Sequence, residues 1–119
     1  MIRRTLASFR HAGRGLRWAL ASQPNLRVHL SAALVVLVAA IFLGFTAVEL
    51  SLLVLCVAAV IAAELFNTAL EVLIDHAWPQ RHPIIGRAKD VSAAAVLLLA
   101  IGAAVVGLLL FGRHLFHLA

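Results

Sequence analysis

The sequence predicts an all-α membrane protein, in which an N-terminal amphipathic surface helix precedes three transmembrane helices. Of the 119 residues, 64% are hydrophobic and only 13% are charged. Soluble domains are nearer half apolar and a quarter charged, so this composition excludes an ordinary soluble protein. Residues 30–48 and 91–112 carry no charged side chain at all. A chain of this length has room for one domain, residues 1–119.

The first element, at about residues 2–22, has the pattern of an amphipathic helix. Apolar and glycine positions share one helical face, and arginines cluster on a neighbouring face (Arg3, Arg10, Arg14 and Arg17). Such a helix lies in the headgroup plane of a membrane, and Pro24 is expected to end it. Two interpretations remain open. The arginines are solvated charges of an anchoring helix, or some of them also meet a phosphate-bearing ligand.

The predicted transmembrane helices occupy about residues 30–48, 50–74 and 91–112. The first and third are uncharged throughout, and each is long enough to cross a bilayer. The second begins in an apolar run and continues through a polar segment to Ile74. Only a short turn around residues 44–49 separates the first two spans.

The distribution of arginine and lysine predicts the orientation. The first 29 residues carry six arginines and the 76–90 loop carries three more basic residues, whereas the 44–49 turn has none and the C-terminal end has only Arg113. The positive-inside rule therefore places the N-terminus and the 76–90 loop in the cytoplasm and the C-terminus outside. A signal peptide at residues 1–45 is the alternative, but its basic region would be too long. Because the basic residues adjoin apolar spans, anionic headgroups and phosphates are favoured over nucleic acid as partners.

Four polar side chains interrupt the second span: Glu64, Asn67, Glu71 and Asp75. Their offsets of 3, 7 and 11 residues from Glu64 place them on one narrow stripe of a helix. Charged groups inside a bilayer are costly, so the stripe is a candidate functional site. It descends from the cytoplasmic interface, which suits a reaction between a water-soluble and a membrane-dissolved reactant. The alternatives are a hydrogen-bond network between helices or an ion path, and Asp75 could simply pair with an interfacial arginine or lysine.

A second polar cluster, Gly86 to Asp90, opens the third span and contains Arg87 and Lys89. A cation at a helix N-terminus can form a phosphate site, although Asp90 could instead cap the helix. With the stripe, this cluster offers oxygen ligands for Mg²⁺, a cation for developing charge and a base for an attacking hydroxyl. These are the groups needed for metal-assisted phosphoryl transfer. No Walker motif or glycine-rich kinase signature occurs in the chain, so a soluble-fold kinase is excluded.

The segment Glu64–Asp75, ELFNTALEVLID, resembles the signature E-x-x-N-[ST]-A-[IL]-E-x-x-[IV]-D of the small prokaryotic diacylglycerol kinase and undecaprenol kinase family. GRAKD at 86–90, followed by AAAVL at 93–97, resembles the second motif of that family, and residues 15–17 and 25–27 match its N-terminal part more loosely. The resemblance implies a homotrimer with a surface helix and three spans. It also implies MgATP-dependent phosphorylation of a lipid hydroxyl, at sites shared between subunits near the cytoplasmic face of the bacterial inner membrane.

Carried over by motif, the resemblance implies a role for each stripe residue. Glu64 is expected to be the general base toward the lipid hydroxyl, and Asn67 to help hold the catalytic centre. Glu71 is expected to bind Mg²⁺, with Asp75 in support. The chain departs from the family pattern at Gln23, where the family has a second acidic metal ligand. A glutamine offers a neutral carbonyl oxygen but no charge, so a catalytically weakened enzyme is the alternative to an active one.

For the nucleotide, the resemblance implies that Lys89 contacts the phosphates of ATP and that Arg87 and Asp90 support its binding. Arg17 is a further candidate for binding the nucleotide. The lipid substrate is expected to be undecaprenol or diacylglycerol. The Arg27-Val28-His29 run is a weak signal in favour of undecaprenol.

A function of a different class is a non-enzymatic membrane assembly protein or an ion conductor. Its support is the polar stripe together with small residues that allow helices to pack closely. The 86–90 cluster argues against it, because a conductor needs no phosphate-binding cations. The pair His114 and His117 is interpreted as interfacial rather than as a zinc site, since it lies at the opposite membrane face from the stripe.

Overall fold

A computed structural model describes residues 1–117, and it is all-helical, as the sequence predicts. Its four helices are α1 (Ile2–Ser22), α2 (Pro24–Phe42), α3 (Ala47–Ala77) and α4 (Pro83–Leu115). The last three are each long and apolar enough to cross a membrane, in agreement with the three predicted spans. Helix α3 packs against both α2 and α4 and is therefore the central element, and α1 lies against α2 and α3.

The corner between α1 and α2 is fixed by local contacts. Gln23 ends α1 in an extended conformation (φ −114°, ψ 102°), and Pro24 is the first residue of α2, where its missing N–H group is not needed. The Arg27 guanidinium donates from Nη1 to the carbonyl oxygens of Leu20 at 2.9 Å and Ala21 at 3.0 Å. These bonds satisfy carbonyls that the end of α1 would leave without partners. The surface helix and the first span are therefore joined by a defined bend rather than by a flexible linker.

The turn between α2 and α3 begins inside the apolar run, so α2 ends six residues before the predicted first span does. Gly44 has φ +76°, which a residue without Cβ adopts readily. The Phe45 amide donates to the Ala40 carbonyl at 3.1 Å, as in a Schellman-type helix end. Helix α3 starts with a capping box: Thr46 Oγ1 accepts from the Glu49 amide at 3.2 Å, and Glu49 Oε2 accepts from the Thr46 amide at 2.8 Å.

Helix α4 begins eight residues before the predicted third span. Pro83 occupies the first helical position, and His82 Nδ1 caps the helix by accepting from the Ile84 amide at 3.1 Å. The cluster at 86–90 therefore lies within the helix, where the backbone N–H groups are already bonded. The interpretation of Asp90 as the helix cap is therefore wrong. The cluster also cannot use free N–H groups of a helix N-terminus to bind phosphate, because the helix begins at Pro83.

The buried core of one chain is small and lies near the α2–α3 turn. Ala40, Phe45 and Leu53 form its centre, with Phe111 of α4 packed against them. Among the described residues of α4, only Val96 is buried, and large apolar side chains along that helix are exposed. An apolar surface of this extent is unusual for a soluble monomer and is expected where lipid tails or a second protein surface cover it.

Polar side chains close the bundle at the turn end. His114 Nε2 lies 2.9 Å from Glu49 Oε2, and Arg113 Nη1 lies 3.7 Å from Glu49 Oε1. The His114 ring also stacks on Phe45, with ring centroids 4.3 Å apart. Glu49 is only 6% exposed, so these contacts compensate a buried carboxylate. The sequence does not indicate this cluster. Spacing along the chain pairs His114 only with His117, and it places Glu49 in the turn.

Candidate functional site

Helix α3 runs without interruption through the four stripe residues, so they share one face. Glu64 is only 8% exposed, Asn67 and Glu71 are partly buried, and the Asp75 side chain is 64% exposed. The stripe therefore passes from the interior of the helix bundle to the surface near the α3–α4 loop. A single helical face thus presents a buried carboxylate at one end and a solvent-accessible one at the other.

Glu64 has a partner on α2 that the sequence did not assign to the site. His29 Nε2 lies 3.0 Å from Glu64 Oε1, and the His29 side chain is 33% exposed. A buried carboxylate is unfavourable unless another group compensates it, and the imidazole is placed to do so. Periodicity shows which residues share a face of one helix, but not which residues meet between two helices. The contact therefore had no signal in the spacing.

Asn67 and Glu71 form the middle of the stripe. Asn67 Nδ2 donates to Glu71 Oε1 over a long 3.4 Å, and Asn67 Oδ1 is buried with no hydrogen-bond partner among the described residues. An unpaired buried oxygen is destabilising unless a ligand satisfies it. Beside a carboxylate, such an oxygen fits Mg²⁺, which prefers oxygen ligands and commonly uses one or two carboxylates together with water and substrate phosphates. Within residues 1–117, no group of three His, Cys, Asp or Glu side chains is placed to hold a metal ion.

Asp75 is joined to the second motif. Lys89 Nζ donates to Asp75 Oδ1 at 2.7 Å, which is the interfacial pairing that the sequence allowed as an alternative for Asp75. Both side chains are partly exposed, so the pair contributes little to stability by itself. A cleft of about 470 Å³ lies beside it and is lined also by Trp78, Arg81 and Gly86. Cationic side chains therefore border an open cleft at the surface end of the stripe.

The other predicted site residues stand apart from the stripe within one chain. Arg17, Arg87 and Asp90 are exposed, and Gln23 is partly buried in the α1–α2 corner. In the described part of the chain, none of these four side chains forms a hydrogen bond or an ion pair with a stripe residue. Their nucleotide and metal roles remain predictions.

An apolar groove of about 480 Å³ runs along α2, α3 and α4 and begins at His29. Its walls are small and aliphatic side chains such as Ala33, Val60 and Gly107, and it extends as far as Phe111 at the turn end. The groove thus leads from the neighbourhood of Glu64 into the apolar part of the bundle. Its lining suits a hydrocarbon chain better than a polar ligand.

Comparison with known proteins gives consistent matches over nearly the whole chain. The sequence profile of a family described as prokaryotic diacylglycerol kinase matches residues 10–111. The undecaprenol kinase of Bacillus subtilis is 33% identical over 110 residues, which cover 92% of this chain and 89% of that protein. A diacylglycerol kinase of Synechocystis is 42% identical over 103 residues, covering 86% of this chain and 59% of the longer relative. The diacylglycerol kinase of Escherichia coli K12 is 33% identical over 104 residues, covering 87% and 85%.

These matches confirm the family resemblance that the two motifs predicted, and the relatives are named as lipid kinases. A non-enzymatic assembly protein or ion conductor is therefore not the function that the similarities support. The three apolar helices and the bacterial membrane family together support a multi-pass protein of the inner membrane. The relatives carry both lipid names, so their names do not select between undecaprenol and diacylglycerol.

Proposed function

Since this chain belongs to the prokaryotic diacylglycerol kinase family and is a lipid kinase, we propose that it transfers the γ-phosphoryl group of ATP to a membrane lipid hydroxyl. The proposed acceptor is undecaprenol or diacylglycerol, with undecaprenol slightly favoured. The observation that carries the proposal is the uninterrupted face of α3. That face carries the buried Glu64 carboxylate, the Asn67 oxygen, which has no partner among residues 1–117, and Glu71, and it ends at the Asp75–Lys89 pair.

Glu64 is proposed as the general base. Its carboxylate accepts the proton of the lipid hydroxyl while the hydroxyl oxygen attacks the γ-phosphorus of ATP and ADP leaves. Burial limits the access of competing water to this carboxylate. The apolar groove that starts at His29 supports an approach of the lipid from the membrane rather than from water.

Asn67 and Glu71 are proposed to hold Mg²⁺, which neutralises charge on the phosphate oxygens of the nucleotide. The support is the Asn67 oxygen, which has no partner in the described part of the chain, and the adjacent carboxylate. Gln23 is a further proposed ligand, through its neutral carbonyl oxygen. A weakened enzyme remains the alternative function, because no acidic residue occurs in residues 1–48 to replace the missing charge.

Lys89 is proposed to bind the phosphates of ATP, with Arg87, Asp90 and Arg17 supporting nucleotide binding. The Lys89 ammonium has three donors and uses one of them for Asp75, so it can hold a phosphate oxygen without releasing that carboxylate. The adjoining cleft gives the triphosphate an open approach from water.

A homotrimer with the N-terminus in the cytoplasm is also proposed. The exposed apolar side chains of α4 support burial against lipid or a second subunit, and the basic residues around α1 and the 78–82 loop support the orientation. In this arrangement Arg17 and Gln23 of one subunit serve a stripe on another, in keeping with their separation from the stripe within one chain.

The test is ATP-dependent phosphate transfer by the purified protein in mixed micelles, with undecaprenol and diacylglycerol as separate acceptors and with or without Mg²⁺. We expect transfer to one or both lipids, and loss of transfer when Mg²⁺ is removed. Glycerol serves as a water-soluble control acceptor. Transfer to neither lipid overturns the proposal, and transfer without Mg²⁺ overturns its metal-dependent part.

A further inference from the structure

The contact between His29 and Glu64 links α2 to the proposed base on α3. His29 Nε2 and Glu64 Oε1 are 3.0 Å apart, and Glu64 is 8% exposed. His29 also lines the start of the apolar groove, so its ring contacts the carboxylate and adjoins the groove. The imidazole is thus the side chain that borders both the proposed lipid approach and the proposed base.

Three other donors on α2, α3 and α4 bond to groups other than Glu64. Arg27, on the same helix as His29, donates to the Leu20 and Ala21 carbonyls. Asn67 Nδ2 donates to Glu71 on α3 itself, and Lys89 of α4 donates to Asp75. Among residues 1–117, His29 is therefore the one side chain within ion-pair distance of the Glu64 carboxylate.

We propose that His29 is a positioning residue for Glu64, an inference that rests on the proposed lipid kinase function. The His29 imidazole contacts Glu64 Oε1 through Nε2 and thereby holds the carboxylate in one rotamer. Oε2, which has no partner among the described residues, then faces the incoming lipid hydroxyl and takes its proton. His29 keeps its own proton throughout, so the proton balance of the transfer is unchanged.

A side chain that acts through orientation affects turnover more than substrate binding. A glutamate has three rotatable side-chain bonds, and loss of its one partner among the described residues spreads the carboxylate over several rotamers. His29→Ala should therefore lower kcat by about 10- to 100-fold, which is part of the contribution usual for a positioned base. The KM values for ATP and for the lipid should change by less than about threefold, because His29 is not proposed to hold either substrate.

Conservative rescue separates orientation from simple packing. In His29→Gln the side-chain amide supplies a neutral N–H donor at a similar reach, so we expect kcat within about fivefold of wild type. His114→Gln is the matched control, because His114 Nε2 also lies close to a buried carboxylate, 2.9 Å from Glu49 Oε2, at the opposite end of the bundle. That variant should lower the thermal stability of the protein but leave kcat per folded molecule unchanged.

A second measurement does not depend on activity. We would record the ¹⁵N resonances of the histidine rings in the full-length protein in lipid bilayers, with those of His29 assigned by their loss in His29→Gln. Replacing the carboxylate in Glu64→Gln should shift the His29 ring resonances and leave those of His114 in place.

The outcomes separate the two proposals. Unshifted His29 resonances in Glu64→Gln overturn the inference whatever the activity is. An active wild type together with an undiminished kcat in His29→Ala, or a failure of His29→Gln to recover activity, also overturns it while the kinase function stands. If the wild type transfers phosphate to neither lipid, the proposed function fails, and a shifted His29 resonance then marks a structural contact rather than a positioning one.

Discussion

The replacement Glu64→Gln tests the proposed chemistry with little change in shape. Glutamine has nearly the same size as glutamate, and its carbonyl oxygen can keep the contact with His29, which is 3.0 Å from Glu64 Oε1 in the wild type. It cannot accept a proton from a lipid hydroxyl at neutral pH. A positioned general base typically contributes about 10²- to 10⁴-fold to the rate. We therefore expect kcat to fall by that factor, which raises the barrier by about 2.7–5.5 kcal/mol.

Stability should not fall together with activity in this variant. The Glu64 side chain is only 10% exposed, and a buried charge with one partner is costly to desolvate. A neutral amide at the same place removes that cost, so the Tm of Glu64→Gln should equal or exceed the wild-type value. The assay pairs initial rates of ATP-dependent lipid phosphorylation in mixed micelles with thermal unfolding followed by far-ultraviolet circular dichroism.

Glu49→Gln is the matched control, because Glu49 is the other buried glutamate of α3. Its carboxylate contacts Thr46, His114 and Arg113, and it lies far from the stripe. This variant should unfold at a lower temperature and keep its turnover per folded molecule. The reasoning is refuted if Glu64→Gln retains more than about a tenth of the wild-type kcat, or if both variants lose activity equally.

Four further replacements and one control give additional predictions. Gln23→Glu should lower the Mg²⁺ concentration that gives half-maximal rate, and if both that concentration and the turnover stay unchanged, position 23 is not a metal site. Gly44→Ala should destabilise the protein by about 1–2 kcal/mol in thermal unfolding, because residue 44 has φ +76°. An added Cβ meets no atom within 4 Å, so backbone strain is the whole effect. The control Gly13→Ala, in the exposed surface helix, should instead stabilise it by about 0.5–1 kcal/mol. Lys89→Met should raise the KM for ATP by about tenfold or more and the KM for the lipid much less. Equal changes of the two KM values in this variant would contradict a contact between Lys89 and phosphate. Asp75→Asn should raise the KM for ATP less than Lys89→Met does.

The helix count and the stripe on α3 could be predicted because they depend on short-range patterns. Hydropathy finds long apolar segments, and offsets of 3, 7 and 11 residues define a helical face wherever the helix is continuous. The end of α2 could not be predicted from hydropathy, because Phe45 is apolar but belongs to the core beyond the turn. The sequence signals for this boundary are Gly44 and the Thr46–Glu49 capping box. Because the uncharged run 30–48 continues through Gly44 and Thr46, hydropathy alone does not show the boundary.

The predicted start of α4 is wrong for a related reason. The charged residues at 86–90 predict that the helix begins there, whereas His82 caps it and Pro83 is its first residue. A membrane-spanning helix can continue well beyond its apolar segment into water, and its polar end then has the same backbone structure as the rest. The family motif at 86–90 therefore lies on a helical face, and Lys89 reaches Asp75 from there.

The two buried glutamates of α3 show why contacts between helices, rather than burial alone, distinguish a structural carboxylate from a reactive one. Glu49 and Glu64 are almost equally buried, at 6% and 8% exposure. At Glu49 both oxygens are engaged, Oε1 with Arg113 and Oε2 with His114 and the Thr46 amide. At Glu64 only Oε1 has a partner among residues 1–117, and Oε2 is left to accept a proton from a substrate. Since a saturated carboxylate stabilises the fold but has no site for a substrate proton, the sparse surroundings of Glu64 are what its proposed role as the base requires.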